Sequence, residues 1–185
     1  YQAGYSNTTG SPITVVGYQA GYSNTSGEIQ AFGRLASYSN TTGVANSSFG
    51  LSALYANTTG GYNTALGYNA LVSNTTASNN TAVGYQAGYV NSTGASNTFF
   101  GSFAGYNTTS GENTFIGEDA GYHVTTGSKN TILGGYNGNQ GGLDIRTSSN
   151  NIVLSDGDGN PRLYIDSSGD CKIGGGNTSQ GYQAD

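Results

Sequence analysis

The chain has 185 residues, among them 32 Gly, 15 Tyr, 2 Pro and one Cys, and only 8% are charged, a composition that excludes an ordinary globular domain. A formal net charge of −5 with 5 Lys and Arg in all leaves no basic patch for phosphate backbones, which excludes nucleic acid as a partner. Nothing approaches the ~20 consecutive apolar residues of a membrane-spanning helix, so no membrane insertion is expected in this segment.

From residue 1 to about residue 142 the chain repeats one phrase. It reads TVVGYQAGY at 14–22, NTALGYNAL at 63–71, NTAVGYQAGY at 80–89 and NTFFGSFAG at 97–105, with a period of 17 and occasionally 16 residues. A glycine column, Gly17, Gly33, Gly50, Gly67, Gly84, Gly101, Gly117 and Gly134, is preceded each time by a large apolar residue: Val16, Phe32, Phe49, Leu66, Val83, Phe100, Ile116 and Leu133. Three positions after the glycine stands Ala20, Ala36, Ala53, Ala70, Ala87, Ala104 or Ala120, and two further on Tyr22, Tyr38, Tyr55, Val72, Tyr89, Tyr106 or Tyr122. A polar SNTTG-like turn closes each unit.

Two or three glycines per unit are costly in helices, at about 1 kcal/mol each relative to Ala. Two short strands per unit, such as 81–83 and 85–89, predict an all-β parallel β-solenoid or β-roll with one coil per repeat. Stacked coils place like residues ~4.8 Å apart. The eight large apolar residues before the glycines are then expected to form an inward core ladder, and Val83→Asp is expected to cost about 3 kcal/mol or more. The alanines are expected where opposite walls approach, and the glycines at corners with positive φ. Asn46, Asn63, Asn80, Asn97, Asn113 and Asn130 are expected to stack, with side-chain amides bonding from coil to coil. One thin coil leaves its tyrosines outside, and a closed homotrimer covers such a face with a single symmetric contact.

The sequence SNNTAVGYQAGY at 78–89 resembles the head repeats of YadA-type trimeric autotransporter adhesins and, more closely, repeat regions of bacteriophage tail fibres. The resemblance spans most of residues 1–142 and implies a left-handed parallel β-roll wound as a trimer. The unit here is longer than that of the usual adhesin head, with an added YSNTTG excursion.

Residues 143–176 have another character. The 1–142 segment carries six charged side chains and 143–185 carries nine, and LDIRTSSNNIVLSDGDGNPRLYIDSSGDCKIGG alternates apolar and polar positions as a β-hairpin or meander does. The segment resembles the stretch that in tail fibres follows the repeats and precedes a self-cleaving trimerisation chaperone. NTSQGYQA at 177–184 repeats the spacing of NTAVGYQA, so 177–185 reads as the start of a further repeat or tail.

Candidate chemistry is sparse. Asp156, Asp158 and Asn160 alternate like the start of a calcium loop, but Pro161 stands at the required glycine and Ser167 at the twelfth position, so a tight turn fits better. His123 has no neighbouring His or Cys and reads as a turn residue. Adjacent Glu118 and Asp119 would face opposite sides of a strand and form no acid-base pair. Lone Cys171 has no partner for an internal disulfide. No catalytic, cofactor or metal residues are assigned, and no enzymatic activity is expected. Asn7, Asn24, Asn40, Asn57, Asn74, Asn91 and Asn107 satisfy the Asn-x-Ser/Thr glycosylation pattern, and turn chemistry accounts for the same residues.

These observations predict a structural, non-enzymatic fibre segment at an extracellular or virion surface. A phage tail fibre is the leading expectation, with a homotrimeric rigid shaft and contacts to cell-surface glycans or a receptor through the Tyr and Asn columns. A bacterial surface adhesin or a self-assembling, glycosylated filament is the alternative, and an ice-binding solenoid is the third.

Overall fold

The computed structural model describes residues 1–174 and the backbone of Gly181–Tyr182. The described residues form no helix and build a parallel β-solenoid. Eight strands, β1 (Ile13–Val16), β2 (Ile29–Phe32), β3 (Asn46–Phe49), β4 (Thr64–Leu66), β5 (Thr81–Val83), β6 (Thr98–Phe100), β7 (Thr114–Ile116) and β8 (Thr131–Leu133), come one from each repeat. They pair in parallel, each with the next and in strict register, so that Thr81 faces Thr98 and Val83 faces Phe100.

Each coil contains one strand rather than the two expected. The run Tyr85 to Tyr89 carries left-handed backbone at Gln86 (φ 53°) and Gly88 (φ 63°), which turns the chain too tightly for a pleat. Its backbone is nevertheless paired between coils. Gln86 N donates to Tyr68 O at 2.9 Å, in the preceding coil, while Gly88 N donates to Ala104 O at 2.9 Å, in the following one.

Side chains alternate across each strand, and the alternation fixes the core. Asn80 and Ala82 point inward and are fully buried, whereas Thr81 is exposed and Val83 half-buried on the outer face. The inner column therefore runs Val15, Ala31, Ser48, Ala65, Ala82, Phe99, Phe115 and Ile132. Opposite it, the alanines from Ala20 to Ala120 are all fully buried, as their size at close-approaching walls requires.

Volumes across the interior are matched coil by coil. Phe99 and Phe115 occur where the facing wall offers Gly88, Gly105 and Gly121; a Cβ on Gly105 would lie 2.3 Å from the Phe99 ring. Where the inner column shrinks to Ala65 and Ala82, buried Leu54 and Leu71 fill the space from the other side. At Ser48 the two walls meet through a hydrogen bond to Ser37 at 2.8 Å.

The solenoid is closed at its C-terminal side by chain 135–151. A hairpin of β9 (Asn139–Gln140) and β10 (Leu143–Asp144) folds back. Buried Tyr136 takes the place of the inner alanine, its carbonyl accepting Gly121 N at 2.9 Å. Beyond it, β11 (Ile152–Ser155) pairs in parallel with β8 and antiparallel with β12 (Pro161–Ile165), which pairs antiparallel with β13 (Cys171–Ile173). The backbone of β14 (Gly181–Tyr182) adds antiparallel to β13. The rest of the expected 177–185 repeat lies outside the described residues.

Candidate functional site

The eight residues expected as the core ladder are aligned, but on the outside. Val16 is 56% exposed and Phe100 53%; Phe49, Leu66, Ile116 and Leu133 are also exposed, with Phe32 and Val83 half-buried. The alternation of the strand, not side-chain size, sets the face: with Asn80 inside, period two sends Val83 out. Register extends the column through Leu154, Leu163 and Ile173. Beside it runs a second outward column, Thr14, Gln30, Ser47, Thr64, Thr81, Thr98, Thr114 and Thr131, continued by Ile152, Ile165 and Cys171. Neither column contains a charged residue. The molecule thus presents one uncharged face, apolar along one whole column and along both columns at its C-terminal end.

Two asparagine columns line the interior. The column from Asn46 to Asn130 stacks as expected, its amides bonding mostly to the backbone of the next coil and once directly, Asn113 Nδ2 donating to Asn97 Oδ1 at 3.2 Å. Asn80 Oδ1 accepts Asn97 N at 2.9 Å, and Asn80 Nδ2 donates to Gly94 O at 2.9 Å. In the other column direct amide-to-amide bonds form a continuous run. Asn24 donates to Asn7, Asn40 to Asn24, Asn57 to Asn40 and Asn74 to Asn57, at 2.7 to 3.0 Å.

This second column contains the glycosylation candidates. Asn24, Asn40, Asn57, Asn74 and Asn91 are fully buried, with Nδ2 donating to the backbone carbonyl three residues on. A glycan on any of these five is incompatible with the closed coil. Asn7 is half-buried in the first coil, and Asn107 stands outside the column, its register position being taken by buried Thr108. Buried asparagines also cannot contact an external sugar.

The tyrosines form an outer aromatic stack. Tyr5, Tyr22, Tyr38 and Tyr55 lie ring over ring at centroid distances of 5.2 to 5.3 Å, and Tyr89, Tyr106 and Tyr122 at 4.9 to 5.0 Å, all within 9° of parallel. Burial first, and then the neighbouring phenols of Tyr89, Tyr122 and Tyr85, push the Tyr106 phenol above its ordinary pKa. A shorter column holds Tyr1 over Tyr18 and Tyr68 over Tyr85, with Arg34 set over the Tyr18 ring at 5.8 Å.

The remaining candidates sit in turns. Asp156 Oδ1 accepts the backbone N–H of Asp158 and Asn160 at 3.1 and 2.8 Å while Oδ2 pairs with Arg162. These contacts hold its carboxyl below the usual range, the Asn160 N–H contributing most. Asp166 organises the next turn in the same way, accepting from Ser168 and Asp170. His123 is exposed and edge-on to Tyr122; Glu118 and Asp119 are exposed. Among the described residues no three of His, Cys, Asp and Glu converge.

No family model, curated protein or solved structure matches the chain.

Proposed function

We propose that this chain is a non-enzymatic structural segment of an extracellular or virion-surface fibre, a homotrimer whose protomers bury the outward apolar column against one another. The observation that carries this reading is that column, uncharged from Val16 to Ile173. Rungs spaced ~4.8 Å apart give it a length of ~50 Å and, at a width of ~10 Å, an area of ~500 Å². That matches the largest apolar patch of a typical monomeric protein, a size at which such patches are often functional.

A second copy is the occupant that fits. It supplies an equally long, equally uncharged face, rung for rung, and cyclic symmetry closes the contact without leaving a free face. Continuous backbone ladders then give a stiff rod, and three equivalent outer surfaces add weak contacts to host glycans or a receptor by avidity. A phage tail fibre and a bacterial adhesin or filament share this mechanism.

Sedimentation equilibrium should give three times the protomer mass of 18.8 kDa. Leu66→Asp combined with Phe100→Asp should yield a folded monomer with an unchanged β-type circular dichroism spectrum; a wild-type monomer would defeat the proposal. A second reading, ice binding, draws on the outward column Thr64, Thr81, Thr98, Thr114 and Thr131, regular hydroxyls on a β face. Thermal hysteresis in the wild-type solution, surviving Leu66→Asp and lost in Thr81→Tyr, would favour it.

A further inference from the structure

The aromatic stack lacks one ring. At Val72 the column passes from Tyr55 to Tyr89 through a side chain that ends well short of a phenol ring, and all three residues are half-buried. The flanking rings do not tilt to close the gap, because each is held parallel by its outer neighbour. Tyr55 is stacked on Tyr38 at 5.2 Å and 9°, and Tyr89 on Tyr106 at 4.9 Å and 6°. Two rungs separate them, about 10 Å, which is the spacing at which the same column elsewhere places a third ring between two.

The shorter aromatic column shows the contrast, since its breaks are occupied by the long side chains of Arg34 and Leu51. On one side the surroundings of the gap are polar but neutral. Phe103, which contacts both Tyr85 and Tyr106, shows that its column lies between the two aromatic ones. In that column the Val72 coil carries Asn69, and the next coil Gln86.

We infer that the gap over Val72, between Tyr55 and Tyr89, is a binding slot for one neutral aromatic ring bearing a hydrogen-bonding substituent, of the phenol class. The inserted ring stacks on both walls, restores the continuity of the column, and has the Asn69 and Gln86 amides beside it for its polar substituent. The walls are already in place, so little ordering opposes binding. The slot is independent of the assembly proposed above.

The test is titration of the full chain, labelled at Val methyls, with p-cresol, followed by NMR. Saturable upfield shifts are expected at Val72, with a Kd on the order of 1–10 mM for so small a ligand, while the Val124 methyls inside the coil stay unmoved. Val72→Tyr fills the slot and should abolish saturable binding; Tyr55→Leu should weaken it at least tenfold, and Tyr22→Leu, in the same column, should leave it unchanged. The tripeptide Gly-Tyr-Gly separates the sources: tighter binding than p-cresol identifies a partner's aromatic side chain, and binding of p-cresol alone a free phenol. Unsaturable shifts, saturable binding that survives Val72→Tyr, or saturation by methyl glucoside but not by p-cresol would overturn the inference.

Discussion

Gly84 shows how closely the coils approach. Its φ of 140° lies where L side chains rarely go, and an added Cβ would stand 2.3 Å from the carbonyl oxygen of Gly101 in the next coil. Gly17, Gly33, Gly50, Gly67, Gly101 and Gly117 repeat the same contact. Gly84→Ala therefore combines backbone strain with a clash against a backbone atom that its own hydrogen bonds fix. The expected cost is about 3 kcal/mol, read as a lower urea midpoint. The recurrence of this glycine and its corner role were visible in the sequence. The carbonyl behind it was not, because a period along the chain does not report the distance between coils. The buried amides were half legible in the same way: stacking of Asn80 and its mates followed from the repeat, whereas the partners of each amide depend on the opposite wall.

At the level of the element, the strand's alternation decides what each substitution does. Ala82 faces the interior and Val83 the outside, so Ala82→Asp buries an unpaired carboxylate where Val83→Asp merely exposes one. We expect Ala82→Asp to cost about 3 kcal/mol or more and to unfold the chain in mild urea. In the monomeric Leu66→Asp/Phe100→Asp background, where residue 83 pairs directly with residues 66 and 100, Val83→Asp should lower the unfolding free energy read from urea melts by about 1 kcal/mol or less, through repulsion between neighbouring carboxylates that added salt reduces. The period, the parallel pairing and the one-coil unit could be read from the sequence. The face could not be read from hydrophobicity alone, since the larger apolar residue lies outside in Ala31–Phe32, Ala65–Leu66 and Ala82–Val83 but inside in Phe115–Ile116. A signal was nonetheless present: Phe99 and Phe115 coincide with Gly88, Gly105 and Gly121, and Ala65 and Ala82 with Leu54 and Leu71. Such paired changes in size belong to residues that meet across an interior. The single strand per coil was hidden because Tyr85–Tyr89 alternates like a strand while its left-handed positions answer to the curvature of the coil.

For the whole molecule, pH acts most strongly at the C-terminal closure. Tyr136 donates its hydroxyl to Leu143 O at 2.9 Å from a fully buried site, and burial, followed by the nearby Asp144 charge, raises its pKa well above the ordinary phenol value of 10.0. In the unfolded chain the phenol loses its proton near 10.0, while in the folded chain it keeps it. Its contribution to stability is thus intact below that pH and falls as pH rises beyond it. Tyr164 and Tyr106 are shifted the same way. Urea melts between pH 9 and about pH 11.5 should show declining stability, and Tyr136→Phe should flatten the decline, at about 1 kcal/mol lower stability at neutral pH. The composition of residues 143–176 marked this region as different, but the part played by Tyr136 follows from the hairpin that folds over it.

The size matching inside the roll has a consequence for how the chain threads itself. A string of identical units could settle one loop too early or too late and lose almost nothing, trapping misaligned forms. Here a shift by a single winding in the middle of the chain would set a phenylalanine against a leucine, or an alanine against a glycine, so crowding or a void penalises each wrong alignment. The departures from perfect repetition act as notches on a key, and they let a nearly periodic text fold to one alignment.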